Sequence, residues 1–240
     1  MDLKLTDKVA LVTGTGSRIG YGRAIALTLA EEGCHIISVD KDITGARQTA
    51  EEVISRGRKA LVIEVDVRNR SEVDNMVNNA LDEFGRIDIL VNNAGVSSKW
   101  KPFMEMNSDD WDYDIGVNLY GQMNVAQSVL PHMISRKSGR IINTSGGQGI
   151  PGISLYGAAK GAVVQWTKAL AKEVAPYGVV VSAYSPGLGA TGLTEDDPRE
   201  LEKLAKENLL GRLCTPEDVG NLVAFMVSEK SSYFASLFGG

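Results

Sequence analysis

The sequence predicts an α/β protein with a doubly wound parallel sheet. Short apolar runs alternate with segments whose apolar residues recur at helical spacing along most of the 240 residues. The runs are rich in valine, isoleucine and leucine, as expected of strands that are covered on both faces. Repeated strand–helix–strand units of this kind build a parallel sheet through right-handed crossovers.

The elements follow one another without a linker or an internal repeat. Strands are predicted at residues 9–12, 36–39, 60–65, 87–91, around 141–142 and at 179–181. Helices are predicted over about residues 22–32, 109–136 and 154–175. Two further helices are predicted, one that follows the second strand and ends at about Arg56, and one that follows the third strand and ends at about Phe84. Residues 187–198 read as a long internal loop, which in a compact domain is often functional. We therefore expect one Rossmann-type domain over residues 1–240.

The charge and hydropathy of the chain exclude several classes of partner. The net charge is −5, so no basic surplus is present to neutralise nucleic-acid phosphates or an anionic membrane. No apolar run approaches the roughly 18 residues of a membrane span. The first four residues do not begin a secretory signal. We expect a cytoplasmic protein without a nucleic-acid or membrane partner.

The cysteines and histidines show no metal-binding pattern. Cys34 and Cys214 lie far apart in the sequence and are expected to be packed thiols. His35 and His132 have no ligand partners at metal spacing. The sequence therefore predicts no metal site.

A glycine-rich turn, Thr13–Gly22, joins the first strand to the first helix. Glycines let the backbone approach a pyrophosphate, and a helix N-terminus offers free N–H groups and a partial positive charge. The turn predicts a dinucleotide site, with a turn that binds no ligand as the alternative. Its candidate residues are Gly14, Gly16, Ser17, Arg18, Gly20 and Gly22.

Asp40 ends the second strand, about 20 residues beyond the glycines. An acid at this place can accept hydrogen bonds from the adenosine ribose hydroxyls. It would also repel a 2′-phosphate, by roughly 4 kcal/mol for each pair of like charges at ~4 Å and an effective dielectric near 20. The prediction is NAD rather than NADP, although Arg18 and Lys41 could soften the preference. A solvated acid at a strand end is the alternative.

Several separated motifs resemble those of the short-chain dehydrogenase/reductase family, from about residue 7 to residue 233. They are Thr15–Gly22 (TGxxxGxG), Asp66-Val67 after the third strand, Asn92–Gly95 (NNAG) after the fourth, Asn118, Tyr156–Lys160 (YxxxK), and Pro186-Gly187 with Thr191. Thr13-Gly14 also fits the pair that ends the family's first strand, so the loop looks two residues longer than usual. The sequence leaves open which Thr-Gly pair takes the usual place.

The resemblance implies an oxidoreductase that moves a hydride between NAD(H) and a small-molecule alcohol or ketone. It implies that Tyr156 exchanges the substrate proton, that Lys160 holds the nicotinamide ribose, and that Asn118 holds a water in a proton relay. The implied cofactor contacts are Asp66 and Val67 at the adenine, Asn93, Ala94 and Gly95 beside the cofactor, and Pro186, Gly187 and Thr191 at the carboxamide. It also implies a homo-oligomer, a tetramer or dimer, built on the long helices around Asn118 and Tyr156.

The spacing of Tyr156 and Lys160 fits acid/base chemistry. Residues four apart share a helix face. An ammonium beside a phenol, together with an oxidised nicotinamide, favours the phenolate. Lowering the pKa of the phenol by about three units requires roughly 4 kcal/mol. We therefore expect the pKa of Tyr156 to be depressed.

The serine that orients substrate in the family departs from its usual spacing. Counting three residues from Asn143 gives Gly146, whereas counting thirteen back from Tyr156 gives Asn143. Ser145 is the nearest hydroxyl from the strand side, and we predict that it hydrogen-bonds the substrate oxygen. Thr144 and Ser154 are the rivals.

These residues leave two other functions possible. One is a 3-oxoacyl-thioester reductase that uses NADPH, against which Asp40 argues. The other is a catalytically weak dinucleotide-binding or regulatory protein. The displaced serine and the abbreviated segment Ser236–Gly240 motivate that second alternative.

Overall fold

Six parallel strands form one sheet in the order β3-β2-β1-β4-β5-β6. The structure is a computed structural model that describes residues 2–97, 101–147, 149–187, 189 and 198–233. The strands are β1 (Val9–Thr13), β2 (His35–Asp40), β3 (Ala60–Glu64), β4 (Ile89–Asn92), β5 (Gly139–Thr144) and β6 (Val179–Tyr184). Each predicted strand is present, with bounds that shift by two or three residues at most.

The helices connect the strands and extend beyond the last one. They are α1 (Tyr21–Glu31), α2 (Ile43–Ser55), α3 (Arg70–Phe84), α4 (Ser108–Ile115), α5 (Gln122–Ser135), α6 (Ser154–Val174), α7 (Pro198–Glu207) and α8 (Pro216–Val227). The sequence alone does not define the bounds of any helix after residue 198. Within the described residues, no helix is both long and apolar enough to cross a membrane.

The sheet is covered on both faces, as the apolar strands predicted. Val9 and Leu11 of β1 pack into one buried cluster with α3 and α5, whereas Ala10 and Val12 pack into the other, with α1 and α8. Because successive side chains of a strand point to opposite faces, a strand that is apolar at every position has to contribute to both clusters. The predicted single-domain α/β fold of Rossmann type is confirmed.

The long helix predicted over about 109–136 is interrupted. A π-helical segment, Gly116–Gly121, separates α4 from α5. A Cβ at Gly121 would lie 2.6 Å from Cγ2 of Val67, so the helix comes very close to the chain that follows β3. Such π segments widen the helix locally and are frequent at functional sites. Asn118 lies in the middle of this one.

The strand order reverses at β1, and this reversal fixes where a ligand can bind. β1 pairs with β2 on one side and with β4 on the other. The chain therefore leaves the carboxyl end of β1 toward one half of the sheet and the carboxyl end of β4 toward the other. A crevice opens between such diverging connections, and ligands of open α/β sheets bind there.

The opposite edge of the sheet is held by a buried carboxylate. Asp88, 6% exposed, pairs with Arg86 and Arg136 and accepts a hydrogen bond from the backbone N–H of Val9. Burial opposes ionisation of Asp88, but the hydrogen bond from Arg86 and the one from Val9 keep its pKa below the usual value. The carboxylate thus joins the starts of β1 and β4.

We expect Asp88→Asn to lower the free energy of unfolding by about 1–3 kcal/mol at pH 7, because two guanidinium groups lose their partner. A carboxyl whose pKa is depressed by folding stabilises the protein above its unfolded pKa, and this contribution is lost as the pH falls through the folded pKa. Urea unfolding should therefore show a smaller difference in unfolding free energy between wild type and Asp88→Asn at pH 3 than at pH 7. Asp82→Asn on the exposed side of α3 is the control. Equal losses at both pH values would contradict this account.

Candidate functional site

The carboxyl ends of the strands bring many of the predicted site residues to one cleft of about 510 Å³. It extends from the end of β2 to the first turn of α6. Its walls include Gly14, Ser17, Gly20, Asp40, Asn93 and Gly95 at one end, and Thr144, Ser145, Tyr156, Lys160, Pro186 and Gly187 at the other. Residues far apart in the sequence therefore share one wall because their strands end at the same edge.

The structure settles which Thr-Gly pair ends the first strand. β1 ends at Thr13, and Gly14 follows with a φ of +78° that favours glycine. A Cβ at Gly22 would coincide with the carbonyl oxygen of Gly14. Thr13-Gly14 takes the strand-end position, and Thr15 belongs to the connecting loop.

The N-terminus of α1 faces the cleft. Gly20 is its N-cap residue, and no side chain caps the first turn. The N–H groups of a first helical turn have no partner within the helix. With the partial positive charge of the helix end, they suit the phosphates of a dinucleotide. Gly14 and Gly20 line the cleft beside this helix end, so the geometry fits a pyrophosphate.

The glycine loop is fastened to its neighbours before any ligand is considered. The hydroxyl of Thr15 lies 2.8 Å from that of Ser38, and Thr49 of α2 donates to the carbonyl of Thr15 at 2.8 Å. The N–H of Gly16 donates to Oδ2 of Asp40 at 2.7 Å. The loop is therefore preorganised by β2 and α2.

Two carboxylates stand at the adenosine end of the cleft. Asp40 accepts hydrogen bonds from Gly16 and from the N–H of Asp42, and Asp42 caps α2. Both line the cleft. Arg18, predicted to bind cofactor, does not belong to this wall. It lines a separate cavity of about 280 Å³ with Arg23, on the far side of the loop.

A smaller cavity of about 130 Å³ continues from Asp40. Asp66 and Val67, which the resemblance places at the adenine, line this cavity, although β3 already ends at Glu64. The hydrogen bond from Arg68 keeps the pKa of Asp66 below its usual value. Nζ of Lys41 lies 3.8 Å from Oδ2 of Asp66, so the ammonium of Lys41 forms an ion pair with this carboxylate.

The residues after β4 brace the glycine loop. Asn93 donates through Nδ2 to the carbonyls of Thr13 and Gly14, at 3.0 and 3.3 Å. The backbone N–H groups of Asn93 and Ala94 both donate to Oγ1 of Thr13, at 3.0 Å each. These contacts fix Gly95 in the wall of the cleft.

Tyr156 and Lys160 both face this cleft from α6. Tyr156 lies in the first helical turn, and Nζ of Lys160 lies 5.5 Å from the centre of its ring. Lys160 is 1% exposed, and its Nζ donates to the carbonyl of Thr144 at 3.0 Å. The phenol and the amine are therefore presented to the same space as the glycine loop.

The expected depression of the Tyr156 pKa is not produced by the protein itself. Burial raises the pKa of Tyr156, and Asp114 adds to the rise. Burial also lowers the pKa of Lys160 to about 7. Since an amine that is only partly charged near pH 7 gives a phenolate limited electrostatic stabilisation, the predicted acidic phenol requires an additional positive charge, such as an oxidised nicotinamide.

Asn118 is buried next to Lys160, but its side chain is committed to the backbone. Nδ2 donates to the carbonyls of Val96 and Asp114, at 2.7 and 2.9 Å, and Oδ1 accepts from the N–H of Val96 at 3.3 Å. An amide has only two N–H donors. A water held by Asn118 would therefore bind its main-chain carbonyl, which also accepts from Gln122 at 3.0 Å.

Ser145 lines the cleft, but its hydroxyl donates to the carbonyl of Lys160 at 3.0 Å. A serine has one O–H donor, so this hydroxyl has to rotate before it can donate to a substrate oxygen. Of the rivals, Thr144 is buried in the cleft wall, whereas Ser154 is exposed and contacts Met106. Asn143 is buried and bonds to Thr167, so it is structural.

A glycine stands at one of the two positions to which the family spacing points, and a second glycine follows it. Gly146, at a φ of +131°, lines the cleft without a side chain. Gly147, at +62°, lies against the Tyr156 ring so closely that a Cβ would collide with it. The Gly-Gly pair in the sequence indicates that another group comes close to the backbone here. Which group it is depends on the conformation of the shortened loop.

The segment after β6 closes the other end of the cleft. Pro186 and Gly187 line it, as predicted. Thr191 lies outside the described residues. The sequence analysis missed Tyr21, which lines the cleft at the start of α1 and donates from its hydroxyl to the carbonyl of Gly187 at 3.4 Å.

We expect Lys160→Met to stabilise the fold most strongly at low pH. A lysine whose pKa is lowered by burial binds fewer protons folded than unfolded between about pH 7 and its unfolded pKa, so wild-type stability rises through that range. Methionine fills the space and carries no charge to desolvate, and the Thr144 carbonyl keeps its bond from Gln122 at 3.0 Å.

At pH 6, the unfolding free energy of Lys160→Met should exceed that of wild type by a few kcal/mol, since each pKa unit is worth roughly 1.4 kcal/mol. This difference should shrink by pH 10. Urea unfolding at both pH values measures it. Lys172→Met, on the exposed face of the same helix, controls for charge removal. A difference that does not change with pH would contradict the burial of a titrating amine.

Comparison with known proteins identifies the family. The sequence profile described as short chain dehydrogenase matches residues 8–202. Oxidoreductase UcpA of Escherichia coli (strain K12) is 40% identical over 243 residues, covering 96% of this chain and 91% of UcpA. The 3-oxoacyl-[acyl-carrier-protein] reductase FabG of Thermotoga maritima is 36% identical over 235 residues, covering 96% and 94%.

Comparison with a solved structure identifies the same family. The crystal structure of 3-ketoacyl-(acyl-carrier-protein) reductase from Brucella melitensis complexed with NADH superposes with a TM-score of 0.89 at 34% identity, covering 95% of this chain and 94% of that one. The predicted family is thus confirmed by sequence and by structure. The chain belongs to the short-chain dehydrogenase/reductase family, and it is an oxidoreductase of the kind that uses a nicotinamide dinucleotide.

Proposed function

We propose that this protein transfers a hydride between NAD(H) and a secondary alcohol or ketone, with Tyr156 as the acid/base and Lys160 as its partner. One observation carries the proposal: Tyr156 and Lys160 line the same cleft as the glycine loop and Asp40. A dinucleotide lying along this cleft reaches from the acid at its adenosine end to the phenol at the other. Residues 1–240 then serve as one binding and catalytic domain.

Each catalytic side chain has a defined task in this proposal. In reduction, the phenol of Tyr156 donates its proton to the carbonyl oxygen; in oxidation, it takes the proton back from the alcohol. Lys160, already bonded to the Thr144 carbonyl at 3.0 Å, binds ribose hydroxyls and returns a proton to the phenol. The nicotinamide supplies or accepts the hydride when it is bound.

Ser145 and Asn118 support the chemistry less directly. Ser145 would turn from the Lys160 carbonyl toward the substrate oxygen and donate to it. Asn118 would hold the relay water at its main-chain carbonyl, while its side chain fixes the backbone at Val96. Lys160 and Asn118 both lie next to Gly95, since a Cβ there would lie 3.5 Å from Nζ of Lys160 and 3.0 Å from Oδ1 of Asn118.

The carboxylates at the adenosine end support NAD over NADP. Asp40 and Asp42 line the cleft, and both would face a 2′-phosphate. Of the cations that could soften this preference, Arg18 lines the separate cavity, and Lys41 pairs with Asp66 in the cavity that continues from Asp40. The NADH complex of the Brucella melitensis reductase fits the same choice.

The 3-oxoacyl-thioester reductase is the second candidate, because FabG of Thermotoga maritima is a relative at 36% identity. The rim of the substrate end argues against it. The N–H of Lys101 donates to the carbonyl of Gly152, so the chain entering α4 lies beside the cleft wall. This stretch carries Glu105 and Asp109, and a third carboxylate, that of Asp110, is paired with Lys101. Such a rim would repel a substrate attached to an anionic carrier.

We further propose a cytoplasmic homo-oligomer, a tetramer or dimer, that contacts its copies through the helices around Asn118 and Tyr156. Exposed aromatic side chains there support this assembly, namely Trp111 of α4, 46% exposed, and Tyr120 of the π segment, 58% exposed.

Tyr156→Phe is expected to lower kcat by about 10²–10⁴-fold, because it removes the proton that general acid catalysis needs. The ring remains to pack on Gly147, so the affinity for NADH should change by less than about threefold. Steady-state assays over a panel of secondary alcohols and ketones, with NADH binding by fluorescence, measure both quantities.

Tyr177→Phe, at an exposed tyrosine after α6, is the matched control and should match wild type. Unchanged turnover in Tyr156→Phe would remove the phenol from the chemistry. NADH binding without turnover of any substrate in the wild type would instead support the dinucleotide-binding regulatory protein.

Asp40→Asn is expected to raise kcat/KM with NADPH relative to NADH by roughly tenfold or more, since a like charge beside the 2′-phosphate is removed. Asparagine keeps an oxygen for the N–H of Gly16, so the loop should retain its conformation. Rates with both coenzymes at fixed ionic strength measure the ratio. Asp82→Asn, which removes the same charge far from the cleft, should leave it unchanged. An unaltered ratio in Asp40→Asn would rule out Asp40 as the discriminating group.

A further inference from the structure

Tyr21 connects three parts of the chain that are distant in sequence. It is the first residue of α1 and stands beside the N-cap Gly20. Its hydroxyl donates to the carbonyl of Gly187, 166 residues later, at 3.4 Å. Cys214, in the segment that precedes α8, lies beside the same phenol. The start of the dinucleotide-binding helix is thereby joined to the wall that follows β6.

The glycines after β6 are packed against this phenol. A Cβ at Gly189 would collide with the hydroxyl oxygen of Tyr21 and would lie 2.7 Å from the carbonyl oxygen of Cys214. A Cβ at Gly187 would lie 3.6 Å from Cβ of Cys214. The approach at Gly189 leaves no room for a side chain, so the chain passes directly over the tyrosine.

The phenol stays a hydrogen-bond donor in this environment. Tyr21 is half-buried, and the loss of hydration, with Cys214 beside it, raises its pKa above the ordinary value of a tyrosine. A neutral phenol has one O–H donor and can also accept. It therefore keeps its proton at neutral pH and can donate it to the Gly187 carbonyl.

We propose that Tyr21 is a positioning residue that holds Pro186, Gly187 and Gly189 at the nicotinamide end of the cleft. Tyr21, Pro186, Gly187 and Gly189 all line this cleft. A segment held in place before binding needs no ordering when the ligand arrives, and preorganisation of this kind strengthens binding. The inference rests on the proposed function in one respect, namely that the cleft accepts a nicotinamide dinucleotide.

Amide hydrogen exchange of Tyr21→Phe, measured by mass spectrometry in the protein without dinucleotide, tests the attachment directly. Loss of one neutral hydrogen bond should speed exchange in the peptide that contains residues 185–189 by roughly three- to tenfold. Peptides from β1 and β4 should be unchanged. Tyr177→Phe, which removes an exposed phenol after α6, is the matched control.

NADH binding by fluorescence tests the consequence. Tyr21→Phe should weaken the affinity by roughly three- to tenfold, mainly through faster dissociation, with an unchanged unfolding midpoint. Unchanged exchange in the 185–189 peptide would overturn the attachment. Faster exchange with unchanged NADH affinity would overturn the positioning role. If wild type bound neither NADH nor NADPH, the proposed function would fail, and the exchange experiment would still decide the attachment.

Discussion

The cleft is organised around an amine that the fold holds away from water. Lys160 is 1% exposed, and its ammonium form finds only the Thr144 carbonyl and the face of Tyr156 among the described contacts. Burying a charge without full compensation is costly, so the amine is poised between its charged and neutral forms, with a pKa of about 7. The surrounding backbone, from β5 to Gly95, is arranged closely enough to keep this amine dry and aimed at the cleft.

The fold and the order of the site residues could be predicted because they depend on patterns that are local in sequence. Apolar strands and helical periodicity fixed the parallel sheet, and parallel strands end at one edge, so Gly14, Asp40 and Asn93 had to meet. Tyr156 and Lys160 were placed together by the helix repeat. The predicted family is confirmed, whereas the roles of these side chains remain predictions.

What the sequence could not supply depended on loop conformation and burial. The pKa of Tyr156 is raised because desolvation exceeds any help from a lysine that is itself desolvated. Ser145 lies in the cleft wall, yet its hydroxyl donates to the Lys160 carbonyl of α6. The contact of Tyr21 with Gly187 joins residues 166 positions apart and has no local signature.

The bond between Gly16 and Asp40 has a consequence for how such a protein can evolve. The carboxylate that would read the adenosine ribose also anchors the loop that would receive the phosphates. A lineage that exchanged this acid for a small or basic residue would release the loop at the same step in which it changed its coenzyme. Compensating changes in α2, where Thr49 and Gly45 touch the loop from behind, would have to come first or together with it. Coenzyme preference is in this way inherited with the architecture of the second helix.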